Sequence, residues 1–171
     1  MIDWPHRSEK TGEERNLKTI VTDYLERHNV PYNIKQHSRP VFTSEDAARE
    51  RGVRLSQILK TMILVGSDET IILAVVPGNK KLNLKRLKKL SGHKNLRLMD
   101  KETIEKEFGV VVGALAPVGS MIGEAPLFVD RSIFKEDVVD ISSGDPTAGL
   151  ELKRNDLKRL LGHATIADIA K

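Results

Sequence analysis

The chain of 171 residues contains no cysteine. That excludes a disulfide framework, a thiolate metal site and a cysteine nucleophile. Aromatic side chains are almost as scarce: Trp4, Tyr24, Tyr32, Phe42, Phe108, Phe128 and Phe134 are the whole set. So few rings cannot build a stacking platform along a single strand, and any bound nucleic acid would be held mainly through its phosphates. No apolar run reaches the roughly 20 residues of a membrane-spanning helix. Met1-Ile2-Asp3-Trp4-Pro5-His6-Arg7 puts an acid and a proline where a signal peptide carries its apolar core. The expected compartment is the cytoplasm, with no membrane partner. There is no Gly-x-Ser-x-Gly elbow and no Gly-x-x-x-x-Gly-Lys loop, so neither a serine hydrolase nor a P-loop nucleotide site is indicated. The histidines His6, His28, His37, His93 and His163 are not spaced as ligands on one element, and no carboxylate completes such a set. No metal site is expected.

What is present suits one folded domain. With 39% hydrophobic and 30% charged residues, a chain of this length can bury its own core and is not a disordered polymer. The charge is unevenly placed. Between Glu69 and Asp100 there is no acid, while Lys80, Lys81, Lys85, Arg86, Lys88, Lys89, Lys94 and Arg97 all fall there. Since the net charge is only +4, the remainder of the chain is net acidic. A basic segment on an acidic domain reads either as a phosphate-facing surface or as a solvated helix without a partner.

Residues 1–13 lack apolar periodicity and read as a flexible tail, leaving 14–171 as the domain. Leu17, Ile20, Val21, Tyr24, Leu25 and His28 follow one helical face up to about Asn29, with His28 read as packed rather than functional. Tyr32–His37 reads as a strand after Pro31, and Thr43 caps a short helix that ends at Gly52. Ile58–Val65 and Thr70–Val76 are branched apolar runs around Gly66-Ser67-Asp68-Glu69, a hairpin of central strands. A basic helix from Leu84 closes at Gly92, with His93 assigned to the same basic surface. A short strand follows at Leu96–Met99, then a helix capped by Asp100 and ended by Gly109. Leu127–Asp130, Val138–Ser142 and Leu150–Leu152 read as strands, and Asn155 as the cap of a last helix to Leu161. Short strands mixed with short helices predict a mixed α/β domain rather than a βαβ repeat.

Two features carry chemistry. Lys60 interrupts the apolar strand Ile58–Val65. Burying an unpaired ammonium is costly, so this lysine must reach a cleft, where it would suit a phosphate or a developing negative charge, or else lie on a solvated edge. The second is Gly109-Val110-Val111-Val112-Gly113-Ala114-Leu115-Ala116-Pro117-Val118-Gly119, three glycines and a proline among small and apolar residues. Such a loop has no acid, base or nucleophile. It can still present backbone amides to an oxyanion and gauge a substituent by size, or it is simply a buried turn.

In this order these features resemble the YbaK/prolyl-tRNA synthetase editing-domain family of aminoacyl-tRNA deacylases. The resemblance runs through Val30-Pro31-Tyr32, His37-Ser38-Arg39-Pro40-Val41-Phe42-Thr43, Lys60-Thr61, Leu82-Asn83-Leu84-Lys85, Gly113–Gly119 and Ser143-Gly144-Asp145…Gly149-Leu150-Glu151-Leu152, before Asp156-Leu157. It implies a single mixed α/β domain with a curved central sheet flanked by helices. It also implies metal-independent, cofactor-free hydrolysis of a small mischarged amino acid from tRNA, with alanine or cysteine on proline tRNA as the leading substrates. The site residues it implies are Lys60, Gly113, Ala116, Pro117 and Gly119 at the reacting ester, and His37, Thr43, Thr61, Val118 and Gly144 around the substrate. The tRNA acceptor end would lie on Lys80, Lys81, Lys85, Arg86, Lys88 and Lys89, and an aminoacyl-tRNA synthetase is a further partner. The chain departs from the family in having Ala116 where many members carry serine before the loop proline. It also reads Gly149-Leu150-Glu151 in the Gly-Leu stretch where some cysteine-specific members carry an aspartate. The competing expectations are a non-catalytic tRNA or aminoacyl-tRNA binding module of the same fold, and a general nucleic-acid domain indifferent to the aminoacyl group.

Overall fold

The computed structural model describes residues 17–119 and 123–171; the tail expected over 1–13 lies outside the described residues. Among the described residues, eight strands and five α-helices follow in the order α1 (Ile20–Arg27), β1 (Asn33–Gln36), α2 (Ser44–Arg51), β2 (Leu59–Val65), β3 (Ile71–Pro77), α3 (Leu84–Ser91), β4 (Arg97–Leu98), α4 (Lys101–Phe108), β5 (Leu127–Asp130), β6 (Val138–Ser142), β7 (Ala148–Lys153), α5 (Arg154–Leu160) and β8 (Thr165–Ala167). The strands form two sheets. One is antiparallel, ordered β1-β7-β6. The other is mixed, ordered β4-β2-β3-β5-β8, with parallel pairing only at β3–β5 and β5–β8. A single bridge between Ile58 and Asp140 joins them. The mixed α/β architecture is as expected, with its β framework divided in two.

The β2–β3 hairpin is the backbone of the larger sheet, in register from Leu59–Pro77 to Val65–Ile71. Apart from Lys60 and Thr61 it is apolar, because both of its faces are covered. Leu59, Ile63, Leu73 and Val75 face the main core, which also takes in β5–β7, α1, α4 and α5. Leu64, Ile72, Ala74 and Val76 face a second core closed by Leu87 of α3 and by Ile169 and Ala170. Helix α2 closes a third, smaller cluster through Ala47 and Ala48 on Val41 and Ile58.

The helices start and stop where local chemistry dictates. Thr43, Asn83 and Asp100 each accept a backbone N–H in the first turn, and Gly52, Gly92 and Gly109 end the same three helices in the left-handed conformation. Helix α1 is shorter than its apolar pattern. It begins after Thr19, which forms a capping box with Thr22, and leaves Leu17 outside the helix but packed on the main core. Asn155 is not a cap: α5 starts at Arg154, directly off β7, so Asn155 lies inside it. Strand β8 was not anticipated. His28 is exposed, with its ring stacked on Tyr24 at 4.1 Å, and His93 faces Asp68 at 3.9 Å rather than the basic helix.

One ion pair is deeply buried. Arg51, the last residue of α2, reaches Asp140 of β6 at 2.5 Å, with the two side chains only 5% and 1% exposed. Its guanidinium lies over Gly149 of β7, where any side chain would overlap it. Loss of hydration pushes the Asp140 carboxyl up to about 6, against the attraction of Arg51. A carboxyl raised above its ordinary 3.8 contributes stability that is fully present below that pH and is lost as pH rises through about 6. Asp140→Asn should remove this dependence. Relative to the variant, the native protein should lose about 2 kcal/mol of unfolding free energy from about pH 4 to about pH 7. Urea melts across that range give the answer; a constant difference would mean that Asp140 is ionised throughout.

Candidate active site

Lys60 sits early on β2, opposite Val76 of β3 and on the same face as Met62 and Leu64. Among the described residues its one hydrogen bond is from Nζ to the carbonyl oxygen of Lys80, at 2.7 Å. Strand β2 pairs with β4 only at Leu64 and Val65, so at Lys60 its strand partner is β3 alone, and the side chain is half-buried. Burial lowers the pKa of the amine, and the Lys81 charge lowers it further, while Glu45 of α2 works the other way. The ammonium thus lies between the first turn of α2 and the turn that follows β3. It has two protons left for an incoming acceptor.

Thr61 points to the other face, and its hydroxyl is buried without a hydrogen-bond partner among the described residues. An orphaned buried hydroxyl is uncommon and calls for an explanation.

The glycine-rich loop follows α4. Gly113 is exposed, at φ +93°, and a Cβ there would stand 2.9 Å from the Phe42 carbonyl oxygen and 3.0 Å from its Cα. The loop and the segment before α2 therefore touch backbone to backbone, which a glycine alone permits. Beyond Gly113 the loop turns inward. Ala114 donates its N–H to Val111 O, and Leu115, Ala116 and Val118 join the main core. Ala116, Pro117, Val118 and Gly119 also line a cavity of about 50 Å³ shared with Tyr24 and His163. The side chains of Ala116 and Val118 are thus on the main-core side of the larger sheet, whereas the Lys60 amine is on the other. Gly119, at φ +88°, runs against Ile20 and Val21 of α1.

Residues 37–44 connect the two halves. His37 donates its backbone N–H to Thr147 O, and Val41 does the same to Pro146 O, which fastens the segment to the β6–β7 loop. The His37 ring places Nδ1 2.6 Å from Arg39 O. A carbonyl only accepts, so Nδ1 is the donor in this bond. Nε2 is buried and has no partner among the described residues. Phe42 is 55% exposed next to Gly113. Thr43 caps α2, its hydroxyl accepting from Asp46 N. Ser44 packs beside Gly78, in the turn that leads to Lys80. Gly144, at φ +88°, turns the β6–β7 loop, and Thr19 of the α1 cap donates to Ser143 O at 2.6 Å.

Of the expected residues, the structure therefore gathers Gly113, Thr43 and His37 along one segment, with Lys60 at its far end and Gly144 in the loop that anchors it. Phe42 and Thr19 were not singled out as site residues. The signal for Thr19 was its spacing from Thr22, and for Phe42 an aromatic residue between a proline and a helix cap.

The basic residues of the next turn and helix adjoin Lys60. Lys81, Lys85, Arg86 and Lys89 are exposed, and Lys80 and Lys88 are half-buried. None of the six has an ion-pair partner among the described residues. Arg86 does reach the carbonyl of Ala170. No group of three or more His, Cys, Asp or Glu residues that could hold a metal ion occurs among the described residues.

A family model described as the aminoacyl-tRNA editing domain matches residues 38–160. EbsC of Enterococcus faecalis, named as a Cys-tRNA(Pro)/Cys-tRNA(Cys) deacylase, is 29% identical over 137 residues, covering 79% of this chain and 83% of that protein. The proline–tRNA ligase of Thermosipho melanesiensis is 36% identical over 97 residues, which is 57% of this chain but only 17% of the ligase. Among solved structures, a protein described as a trans-editing enzyme for prolyl tRNA synthetase superposes with a TM-score of 0.75 at 26% identity, covering 89% of this chain and 95% of that one. A protein described only as hypothetical superposes with a TM-score of 0.81 at 27% identity, covering 90% and 100%.

Gly113→Ala should cost about 1–3 kcal/mol, since it combines a left-handed backbone with overlap on Phe42. Gly109→Ala is the matched control, being also left-handed, at φ +64°, but with nothing within 4 Å of the added Cβ. Denaturation of both variants separates strain from contact. Equal losses would show that Phe42 yields freely to the new methyl.

Proposed function

Because the chain belongs to the aminoacyl-tRNA editing domain family, we propose that it is a trans-acting aminoacyl-tRNA deacylase. The reaction is hydrolysis of the ester between a small mischarged amino acid and tRNA, with alanine or cysteine on proline tRNA as the favoured substrates. The observation that carries this reading is Lys60. A half-buried ammonium with one proton given to a backbone carbonyl, adjoining a basic helix, is built to receive an anionic or oxygen-rich end.

In this reading the acceptor stem lies along Lys80, Lys81, Lys85, Arg86, Lys88 and Lys89, and Lys60 holds the terminal phosphate or ribose. The backbone between Gly113 and Gly119 lies near the ester carbonyl. The Ala114 amide already donates within the loop and Pro117 has no N–H, so this reading assigns the developing oxyanion to the other amides of the loop. Water attacks the carbonyl carbon, the ribose oxygen leaves, and the products are the free amino acid and tRNA. The substrate amine or the adjacent ribose hydroxyl takes the proton from water. His37, whose Nδ1 is held on the Arg39 carbonyl, is the side chain of the segment that this reading puts forward as an auxiliary base in its neutral form. The buried Thr61 hydroxyl is a candidate partner for the aminoacyl group. Ala116, Pro117 and Val118 line the small cavity on the other side of the sheet from the Lys60 amine, so in this reading the aminoacyl side chain passes beside Gly113 toward them, and exclusion by clash rejects larger residues. Gly144 and Thr43 shape the opposite rim. On chemical grounds a synthetase is the docking partner this reading favours, because its product is this substrate.

The test is a deacylation panel on proline tRNA carrying alanine, cysteine, serine or proline. One small wrong amino acid should be released while proline is spared, and Lys60→Ala should lower kcat/KM by roughly a hundredfold. Retained tRNA binding without release from any ester would instead establish the binding module. Lys85, Lys88 and Lys89 changed together to Ala should weaken tRNA binding and reduce the slope of log K against log salt by about two to three. Filter binding across a salt series measures it, and an unchanged slope would remove α3 from the tRNA surface.

A further inference from the structure

Asp130 ends β5 and is only 3% exposed. Its Oδ2 accepts the backbone N–H groups of Ile169 at 2.9 Å and Ala170 at 2.8 Å. Its Oδ1 accepts from Ser132 N at 3.0 Å and from the Ser132 hydroxyl. Burial would raise the pKa of this carboxyl, yet the hydrogen bonds outweigh burial and hold it below the ordinary range, so it is a carboxylate at neutral pH. A buried carboxylate spent on two N–H groups of residues 169–170 is a strong local commitment, since charge-assisted bonds are the stronger kind.

The other side of those residues faces the start of the basic segment. Ile169 O accepts from Asn83 N at 2.6 Å, and Ala170 O accepts from Arg86. Lys81 and Lys171 exchange two backbone hydrogen bonds, at 2.9 and 2.8 Å, and Leu82 bridges Ala170. Residues 169–171 are thus a strap, gripped by Asp130 on one side and by residues 81–83 on the other. The peptide before this pairing belongs to Lys80. Its N–H goes to Pro77 O, and its carbonyl is the one that receives Lys60 Nζ. The Lys80 carbonyl is therefore aimed by the Pro77 turn on one side and by the strap on the other.

We propose that Asp130 is a positioning residue for Lys60, acting through the strap 169–171 and the Lys80 carbonyl. Its effect on activity rests on the reading of Lys60 given above; its effect on the place of the amine does not. Asp130→Asn leaves the volume unchanged but puts an amide nitrogen against N–H donors on one side. Ala170→Pro deletes one of the two N–H groups and keeps the carboxylate, so it decides the matter should the first variant fail to fold.

Two measurements on these variants test the proposal. In the first, the titration of Lys60 is followed by NMR of its side chain. With the strap loosened, the amine leaves its half-buried place and its pKa should move up toward that of a free lysine. An unchanged Lys60 titration in a folded variant would overturn the proposal. The second is a double-mutant cycle. Asp130→Asn should lower kcat/KM on mischarged tRNA by roughly tenfold with Lys60 present and should add nothing to Lys60→Ala. Losses that multiply would show that Asp130 acts by another route and would also overturn it. If Lys60→Ala alone leaves deacylation intact, the catalytic reading of Lys60 falls, and the titration still decides whether Asp130 places the amine.

Discussion

The β2–β3 hairpin has a core on each face, and a strand in that position offers a charge only partial hydration. Lys60 is nonetheless part of it. An ammonium there is stable only if the protein supplies an acceptor, and the acceptor is the carbonyl of Lys80. That requirement reaches outward. The turn after β3 must hold its carbonyl toward β2, the following residues must be fixed, and they are fixed by pairing with residues 169–171. The pairing also closes the second core, because Ile169 and Ala170 are buried there beside Leu87. One polar demand in an apolar strand thus accounts for much of how the basic side of the molecule is tied together.

The opposite side of the site is organised by backbone rather than by charge. The segment from His37 to Ser44 has little regular structure before α2, yet its groups are bonded to the β6–β7 loop, packed against Gly113 or engaged in a cap. Helix α2 extends from that segment and is anchored at its far end by Arg51 on Asp140. A buried pair of this kind gives little net stability once the loss of hydration is counted. Its geometric effect is clearer: a guanidinium seated over Gly149 fixes where α2 ends, and hence where Phe42 and Thr43 begin it.

This division suits the chemistry proposed. An aminoacyl ester is already activated, so a site for it needs placement more than powerful side chains. In that proposal, cations and a held ammonium would address the nucleic acid, and a glycine-bearing loop, together with an imidazole nitrogen and a hydroxyl that have no partner among the described residues, would address the aminoacyl end. Each unsatisfied group is one that a bound substrate could satisfy.

Much of this was legible in the amino-acid order. The apolar runs around Gly66–Glu69, the caps at Thr43 and Asp100 and the stops at Gly52, Gly92 and Gly109 are local rules, and the chain obeys them. Lys60 and the glycine loop stood out because each contradicts its surroundings. Three things depended on contacts distant in sequence. Helix α5 starts directly off β7, which leaves Asn155 inside it. Strand β8 exists because β5 offers an open edge for parallel pairing. The sides of the sheet also had to be assigned: Lys60 faces the second core and the loop's Ala116 and Val118 face the main one, an outcome of strand pairing that spacing cannot express. The chain alone therefore determined its local elements, its charge segregation and which residues were anomalous. Tertiary structure decided which backbone groups meet those anomalies, because a carbonyl at Lys80 or a carboxylate at Asp130 acquires its role only from what folding brings within hydrogen-bonding distance.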